Sequence, residues 1–292
     1  MDKSPDWDSA WSYVDFETLA PLEAGLFSRL IDLAVPPVAA GTSKAIEIGC
    51  FPGRFIEYVG QKGYVISGVD TYGRVGEIAH WAARRGRAVG AFCQDTLDGY
   101  LRQNRESFDI VLSLGFIEHF NDFCDVLYSH LQLCAVGGRI VVGAPNFASP
   151  LQRALHRVLD EKNMSSHVLE AMYPAVWATY LSALGARVDF AGALGGFGFW
   201  TDTVVDNPRA QLLQKLVPQL SGAMQQMSPP FNERETSYVA AIATKTRPLP
   251  PRDEVAELSR HCVRLATELS ARDQRLAKPC VDFVADLCRP QS

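Results

Sequence analysis

The sequence predicts an α/β fold built on an open, doubly wound sheet, with an N-terminal helical arm and a C-terminal helical appendage. From Lys44 onwards, short apolar runs alternate with segments of helical periodicity, which is typical of strands joined by crossover helices. The first apolar run also leads directly into a glycine-containing turn that opens a helix. In sheets of this kind, ligands are expected at the carboxyl ends of the strands.

The 292-residue chain is long enough for one main domain with additions. We expect an arm and helix at residues 1–43, the main domain at 44–247 with an insert at about 146–172, and a helical extension at 248–292. The Pro-rich segment Pro248–Pro251 marks the last boundary.

The N-terminal segment combines an aromatic arm with a leucine-rich helix. Leucines at helical spacing after Asp15 and Glu17 predict the helix, and Pro21 is tolerable in its first turn. The arm either packs on this helix or forms part of a lid over a ligand. The leucines are Leu19, Leu22, Leu26, Leu30 and Leu33, and the arm residues are Trp7, Trp11, Tyr13 and Phe16.

Apolar runs predict the strands, and helical periodicity fills the gaps between them. A helix after Phe120 is expected to stop at Gly137-Gly138, another runs from about Tyr173 to Gly185, and Arg209–Met227 is helical with an interruption at Pro218. The insert shows no strand pattern. The predicted strands are Ala45–Ile48, Val65–Val69, Ala88–Phe92, Phe108–Leu112, Arg139–Gly143, Arg187–Ala191 and Ser237–Thr244.

The C-terminal extension carries an apolar stripe that Arg272 ends. This pattern fits either a helix packed back on the main domain or a helix that binds a partner, such as a second copy of the chain. The stripe consists of Val255, Leu258, Cys262, Leu265 and Leu269.

Charge and composition exclude several classes of function. The net charge of −5 argues against a protein that binds nucleic acid by neutralising phosphates. The sequence shows no apolar stretch of membrane-spanning length and no signal-peptide pattern at Met1–Ala10. The seven cysteines include no CxxC pair, so we expect reduced thiols in a cytoplasmic protein and no metal ion.

The strongest local signal is the run from Glu47 to Phe55, in which a strand ends in a turn that opens a helix. Gly49 and Gly53 let the backbone approach a ligand closely. The next strand ends in Asp70, whose carboxylate can accept hydrogen bonds from both hydroxyls of a ribose. A nucleoside-containing cofactor is therefore expected here.

These residues resemble the first motif of class I S-adenosylmethionine-dependent methyltransferases, especially the ubiquinone/menaquinone-biosynthesis-like branch that acts on small molecules. Glu47, Gly49 and Gly53 match the motif, whereas Phe51 replaces its middle glycine. Phe51 either reshapes the methionine pocket or marks a lost cofactor site. The resemblance implies a Rossmann-like, mostly parallel seven-stranded sheet and S-adenosylmethionine as cofactor, with S-adenosylhomocysteine as product.

The same resemblance extends to the third and fourth strands. It places Gln94 and Asp95 near the adenine, and Glu118-His119 matches the family's Glu-His signature after strand four. The residues that it implies contact the cofactor are Glu47, Gly49, Cys50, Phe51, Gly53, Asp70, Gln94, Asp95, Ser113, Leu114 and Gly115.

Methyl transfer to a hydroxyl usually benefits from a general base. His119, His167 and Glu118 are the candidates, because they are expected near the strand ends or the insert. Polar and aromatic residues of the insert and of Phe197–Trp200 suit a glycosyl group or a polar or aromatic metabolite. We therefore expect O-methylation of a small-molecule acceptor; a non-catalytic methyltransferase-fold subunit that binds a partner through its C-terminal helix is the alternative.

Overall fold

The computed structural model describes residues 11–104, 106–201, 203–227 and 235–289. Trp7 of the predicted arm lies outside them. Within this part, seven strands form one sheet in the order β3-β2-β1-β4-β5-β7-β6. The strands are β1 Lys44–Ile48, β2 Val65–Asp70, β3 Val89–Gln94, β4 Phe108–Leu114, β5 Cys134–Pro145, β6 Ala186–Leu194 and β7 Tyr238–Lys245.

Helices flank both faces of the sheet. Two short 3₁₀ turns, Ile117–His119 and Leu169–Met172, interrupt the connections after β4 and before β6. The helices are α1 Leu26–Ala34, α2 Arg54–Gln61, α3 Val75–Arg84, α4 Leu97–Gln103, α5 Phe123–Leu133, α6 Pro150–Leu159, α7 Glu161–Ser165, α8 Pro174–Ala183, α9 Pro208–Met227 and α10 Ala256–Cys288.

The sheet confirms the predicted doubly wound, mostly parallel architecture. Only β7 runs antiparallel to its neighbours, β5 and β6, among the strand pairs of the described residues. Strand order reverses between β1 and β4, so their carboxyl ends flank the crevice where such sheets bind ligands.

Alternating side chains of the central strands build two cores. On β4, Ile110 and Leu112 pack with α1, α2 and α3, whereas Val111 points into the opposite core with α5 and α8. This alternation follows from the two-residue period of a strand. It also means that Leu114 and Ser113, at the end of β4, project to opposite faces.

The first helix begins later than the leucine pattern predicts. Its first residue is Leu26, and the Ser28 hydroxyl accepts the Gly25 N–H at 2.8 Å, which caps the helix there. Leu19 and Leu22 precede the helix but still pack against the same core. Their spacing therefore reflects shared burial rather than a continuous helix.

Residues 11–16 of the aromatic arm pack onto the turn after β1. The Phe16 ring is 7% exposed and contacts Phe51 and Trp81, with centroids 5.7 and 6.0 Å apart. Arg74 donates to the Val14 carbonyl at 2.9 Å. The arm thus lies over the ligand edge of the sheet.

Two further features differ from the sequence prediction. Helix α5 ends at Leu133, because Cys134 already pairs with Phe108 and β5 runs on through Gly137-Gly138. Helix α9 continues through Pro218, whose fixed φ is helical and whose missing N–H removes a single backbone bond. The insert contains α6 and α7, and Ser149 caps α6 by accepting the Gln152 N–H.

The C-terminal helix runs beyond Arg272, where the apolar stripe was expected to end. Helix α10 packs against α6, α8 and the second 3₁₀ turn. Its buried side chains are small, namely Cys262, Ala266, Ser270, Ala277, Val284 and Cys288. Small residues let α10 approach its neighbours closely, and of these six the predicted stripe includes only Cys262.

All seven cysteines lie within the described residues, and all are free thiols there. No helix in the described ranges combines the length and apolar character that crossing a bilayer requires.

Candidate active site at the carboxyl ends of the strands

The turn after β1, Gly49–Gly53, is here called the glycine turn. Gly49 and Gly53 both have positive φ, at 69° and 92°, and Gly53 caps α2. Glu47 is buried on β1, and its Oε2 accepts the Ile56 N–H of α2 at 3.0 Å. Burial raises the pKa of Glu47 well above its usual range. Glu47 therefore fixes the shape of the glycine turn from beneath.

Asp70 closes the glycine turn from the end of β2. Its two carboxylate oxygens accept the backbone N–H groups of Phe51 and Tyr72, each at 2.9 Å. The Asp70 side chain remains half-buried, and each oxygen keeps a further lone pair for a ligand hydroxyl. This carboxylate is thus positioned rigidly beside the turn.

Asp95 follows β3 and lies next to Asp70, because its N–H donates to the Asp70 carbonyl at 3.0 Å. The Asp95 carboxylate accepts the Thr96 N–H at 2.8 Å and remains half-buried. Gln94 is exposed, and its amide donates to the Thr71 carbonyl at 3.3 Å. The two predicted carboxylates therefore stand on adjacent strand ends.

Phe51 points into an aromatic cluster rather than across the glycine turn. Its ring is 5% exposed and makes edge contacts with Tyr72, Phe16 and Trp11 at centroid distances of 4.5, 5.7 and 5.8 Å. The neighbouring Cys50 is buried, and burial raises the pKa of its thiol well above the ordinary value. Phe51 therefore anchors the N-terminal arm at this edge.

The end of β4 separates the predicted residues Ser113, Leu114 and Gly115. The Ser113 side chain points to the α5 face, where its hydroxyl lies 2.8 Å from His130 Nε2. Leu114 points to the opposite core, and Gly115 turns the chain with a φ of 85°. Only the backbone of Ser113 remains on the ligand edge, and sequence reasoning had not identified His130 as its partner.

Phe116 connects the glycine turn to the end of β4. A Cβ added to Gly49 would lie 2.6 Å from the Phe116 ring, so glycine is needed for this close approach. The Phe116 ring also contacts the Phe120 ring in a tilted arrangement, with centroids 4.7 Å apart. Phe116 therefore forms the wall between the glycine turn and the groups that follow β4.

Glu118, His119 and His167, here called the acid–histidine cluster, meet beyond that wall. The three side chains place one potential ligand atom each within 4.8 Å of one another. Burial raises the pKa of Glu118 to about 8 and lowers the pKa of His167 to about 4. Burial also lowers the pKa of His119. The structure thus brings together the three residues predicted as base candidates.

Tyr238, at the start of β7, packs beside the end of β5 at this edge of the sheet, and the sequence did not single it out. Its hydroxyl lies over Gly143, 3.1 Å from where a Cβ would stand, and the Gly143 carbonyl accepts the Gly115 N–H at 2.9 Å. Burial raises the pKa of Tyr238 well above its usual value. Among buried side-chain atoms of the described residues, Tyr238 Oη and Glu118 Oε2 both lack hydrogen-bond partners.

A family model described as "Methyltransferase domain" matches residues 22–189, which is more than half of the chain. The chain belongs to this family. With the seven-stranded sheet, this membership places it among the class I S-adenosylmethionine-dependent methyltransferases. The match ends at Asp189, near the start of β6, so α10 lies outside it.

Two relatives of this methyltransferase carry the name ubiquinone biosynthesis O-methyltransferase. The one from Saccharophagus degradans is 23% identical over 48% of this chain and 56% of its own length. The one from a Caulobacter species is 26% identical over 51% of this chain and 58% of its own length. The chain thus spans little more than half the length of these relatives.

A solved structure shares the fold. It is the complex between the Haloferax volcanii Trm112 methyltransferase activator and a methyltransferase, matched at 13% identity and a TM-score of 0.50 over 76% of this chain and 89% of that one. At this identity the likeness supports the architecture alone.

Proposed function

We propose that this methyltransferase transfers the methyl group of S-adenosylmethionine to an oxygen of a small-molecule or glycosyl acceptor, in a secondary-metabolite or polysaccharide pathway. The observation that carries the proposal is the Asp70 carboxylate, held beside the glycine turn by two backbone N–H groups at the point where strand order reverses. The names of the O-methyltransferase relatives support oxygen as the acceptor atom.

The residues present fit S-adenosylmethionine. Asp70 has lone pairs for the two ribose hydroxyls, and Asp95 stands on the neighbouring strand end for the adenine. The partnerless Glu118 Oε2 and Tyr238 Oη offer polar contacts at the other end of the edge. Glu47 supports the turn from below rather than facing a ligand, because its carboxylate caps α2.

S-adenosylmethionine supplies an electrophilic methyl group, and the chain must align an acceptor oxygen with it and remove the acceptor's proton. In the transfer, the sulfur–methyl bond breaks, an oxygen–methyl bond forms and S-adenosylhomocysteine leaves. We assign the acceptor end to the acid–histidine cluster, which lies beside Gly115: a Cβ there would stand 3.6 Å from Glu118 Oε1. Its members bind the hydroxyl and take its proton.

The insert contributes less hydrogen-bonding surface to an acceptor than its composition predicts. Asn146 donates to the Thr236 carbonyl at 2.9 Å, and Asp160 accepts from His156, Asn163 and Thr203. These groups bind one another rather than a ligand. The acid–histidine cluster and the half-exposed Trp200 indole therefore remain as acceptor-facing groups.

The second candidate is a non-catalytic subunit that binds a partner through α10. Two contacts favour this candidate: Phe116 packs against Gly49, and the N-terminal arm packs over Phe51. Both contacts lie where a cofactor has to enter. Retention of Asp70 and Asp95 disfavours it, since a closed site has no chemical need for both carboxylates.

Calorimetric titration of the protein with S-adenosylmethionine, and separately with S-adenosylhomocysteine, distinguishes the two candidates. Asp70→Asn keeps the side-chain size but loses the carboxylate, so we expect binding at least tenfold weaker, or about 1.4 kcal/mol. Asp109→Asn is the matched control, because the Asp109 carboxylate likewise accepts a backbone N–H, from Lys44 at 2.8 Å, but lies at the amino-terminal ends of the strands. Absent binding of both compounds would favour the non-catalytic subunit, whereas equal binding by Asp70→Asn would overturn the ribose assignment of Asp70.

A further inference from the structure

We propose that Cys124 and Cys262 form a reversible disulfide bond when a peroxide reaches them, which makes this thiol pair a site of oxidative modification. Cys124 lies in the first turn of α5, and Cys262 lies in α10, beyond the part of the chain that matches the family model. The bond joins the C-terminal helix covalently to the main domain. The proposal does not rest on methyl transfer and is tested without it.

The two thiols are in direct contact inside the protein. Cys124 is 1% exposed and Cys262 is 0% exposed, and their side chains share a hydrogen bond. The Cys124 sulfur also lies 3.8 Å from the carbonyl oxygen of Ser259, which is three residues before Cys262 on the same helix. Both observations place the two sulfurs together between α5 and α10.

The backbones of the two helices are close to the spacing that a disulfide bond requires. Cα atoms of α5 and α10 come within 8 Å of each other, and bonded cysteines usually have Cα atoms about 4.4–6.8 Å apart. Polar contacts hold the start of α10 in place: Arg252 pairs with Asp125 at 3.1 Å, and the Tyr180 hydroxyl lies 3.1 Å from Ser259 Oγ. Oxidation therefore joins two residues that the fold already holds side by side.

A cavity of about 580 Å³ at the junction of α5 and α10 gives a small oxidant access to the pair. Cys124 lines this cavity from α5. Ser259 and Val263 line it from α10, on either side of Cys262 in the sequence. The exposed Arg260 side chain also lines it, so the cavity is open to solvent. A molecule as small as hydrogen peroxide can therefore reach thiols that are buried from larger reagents.

The hydrogen bond between the two thiols prepares one sulfur as the nucleophile. It raises the pKa of Cys124 and lowers the pKa of Cys262, because the Cys262 thiolate accepts the S–H of Cys124. Thiolates, rather than thiols, are the nucleophiles in cysteine chemistry. Cys262 is therefore the sulfur that reacts first, and Cys124 is the sulfur that closes the bond.

The reaction consumes one hydrogen peroxide and releases two waters. The Cys262 thiolate attacks one peroxide oxygen, the O–O bond breaks, and a sulfenic acid forms while the leaving hydroxide takes up a proton to become water. Cys124 then loses its proton and attacks the Cys262 sulfur, so that the S–S bond forms and the second water leaves. Two electrons pass from the two thiols to the peroxide, and a dithiol reductant reverses the change.

The bond also connects α10 to the strand that ends at the candidate active site. Helix α5 carries His130, whose Nε2 lies 2.8 Å from the Ser113 hydroxyl near the end of β4. Residues 124–262 become one closed loop, which restricts the unfolded chain far more than the folded one. We therefore expect the oxidised protein to be the more stable form.

Treatment of the full-length protein with hydrogen peroxide, after purification in a reductant that is then removed, tests the proposal. Remaining thiols are alkylated and the protein is digested without reductant, and we expect mass spectrometry to find the peptides of Cys124 and Cys262 joined. Two of the seven thiols are expected to become unreactive in denaturant until dithiothreitol restores them. Oxidation is expected to raise the unfolding temperature by at least about 5 °C.

Cys134→Ala is the matched control, because Cys134 is also 1% exposed but its thiol lies against the Ala135 carbonyl, at 3.5 Å. This variant is expected to keep the joined peptides and the thermal shift, whereas Cys262→Ala is expected to lose both. Each protein is compared with its own reduced form, so the cost of a substitution to stability cancels.

The proposal is overturned if the peroxide-treated unchanged protein gives no joined Cys124 and Cys262 peptides, or if a single cysteine is oxidised to a sulfinic acid without a cross-link. It is equally overturned if Cys262→Ala loses the same number of thiols and shows the same thermal shift. Because the unchanged protein alone decides the first outcome, a variant that fails to fold leaves the proposal testable.

Discussion

The Tyr238 hydroxyl is buried without a hydrogen-bond partner in the described structure, and the nearby Gly115 N–H donates to the Gly143 carbonyl. Leaving such a group unpaired costs about 1–3 kcal/mol. We expect Tyr238→Phe to raise the free energy of unfolding by about 1 kcal/mol. If the hydroxyl contacts a ligand, the same change weakens binding of S-adenosylmethionine or of the acceptor.

Urea unfolding and calorimetry of Tyr238→Phe measure these two effects. Phe27→Leu is the control. Phe27 packs edge-on against the Tyr238 ring, with centroids 4.9 Å apart, so this substitution changes the packing around Tyr238 without removing a polar atom. A variant that is less stable and binds equally well would show that the hydroxyl has a structural partner instead.

Single residues were predictable where a motif fixes their position along one strand. Asp70, Gly49 and Glu118 follow directly from strand ends, and the structure places all three at the expected edge. The chemical role of Glu47 was less accessible, because its burial and its bond to α2 depend on the path of the chain after the turn. Tyr238 was missed because it reaches the edge only through the antiparallel pairing of β7 with β5.

At the scale of elements, α5 is joined to β4 by a buried histidine. His130 Nδ1 donates to the Val126 carbonyl at 2.7 Å, so its Nε2 accepts from the Ser113 hydroxyl at 2.8 Å. Burial lowers the pKa of His130 to about 4 from an ordinary 6.5. Below pH 6.5 His130 therefore binds a proton in the unfolded chain, whereas in the folded chain it binds one only near pH 4. Folding stability is expected to rise with pH across this window.

The substitution His130→Gln removes the part of the pH dependence of folding stability that His130 causes, which amounts to about 3 kcal/mol between pH 6.5 and pH 4. We expect the slope of unfolding free energy against pH to fall by up to one proton, or about 1.4 kcal/mol per pH unit. The slope is the readout, because the substitution also changes stability at every pH. Urea unfolding between pH 4.5 and 7, with the exposed His261→Gln as control, measures it. Equal slopes in all three proteins would show that His130 titrates normally.

Most helices and strands were predictable because their apolar periods are clear, but their ends depend on contacts. Cys134 belongs to β5 because it pairs with Phe108, and α1 begins only at Leu26 because the Ser28 hydroxyl caps the helix there. Helix α6 was missed, although Ser149-Pro150 is a recognisable helix start, because its buried face includes polar residues such as Gln152 and Arg153. Polar groups buried by tertiary hydrogen bonds interrupt the apolar period that sequence reasoning relies on.

For the whole molecule, the division into arm, main domain and extension stays a prediction, and so does a homodimer through α10. Side chains of α10 point both ways: Cys262 and Ala266 are buried in the core of the main domain, whereas Leu276, Phe283 and Leu287 are exposed. The exposed side chains permit a partner. The buried side chains indicate that α6 and α8 depend on α10 to cover their apolar surfaces.

Removal of residues 248–292 decides between these roles of the extension. Polar contacts join it to the main domain: Tyr128 donates to the Pro250 carbonyl at 2.8 Å, the Tyr173 hydroxyl donates to Asp273 at 3.1 Å, and the buried Arg153 donates to the Ser270 carbonyl at 3.4 Å. Deletion leaves these groups and the apolar face of α8 uncovered.

We expect deletion to cost at least about 3 kcal/mol, which lowers the unfolding temperature by about 6–12 °C in a protein of this size. A shorter deletion, of residues 275–292, is the graded control: it removes the exposed leucines and Phe283 but keeps the buried segment around Ala266, so its cost is expected to be smaller. Thermal unfolding of the three proteins gives the comparison, and sedimentation velocity reports whether each is monomeric. If residues 248–292 can be removed without loss of stability while a dimer is lost, α10 is an association helix rather than part of the core.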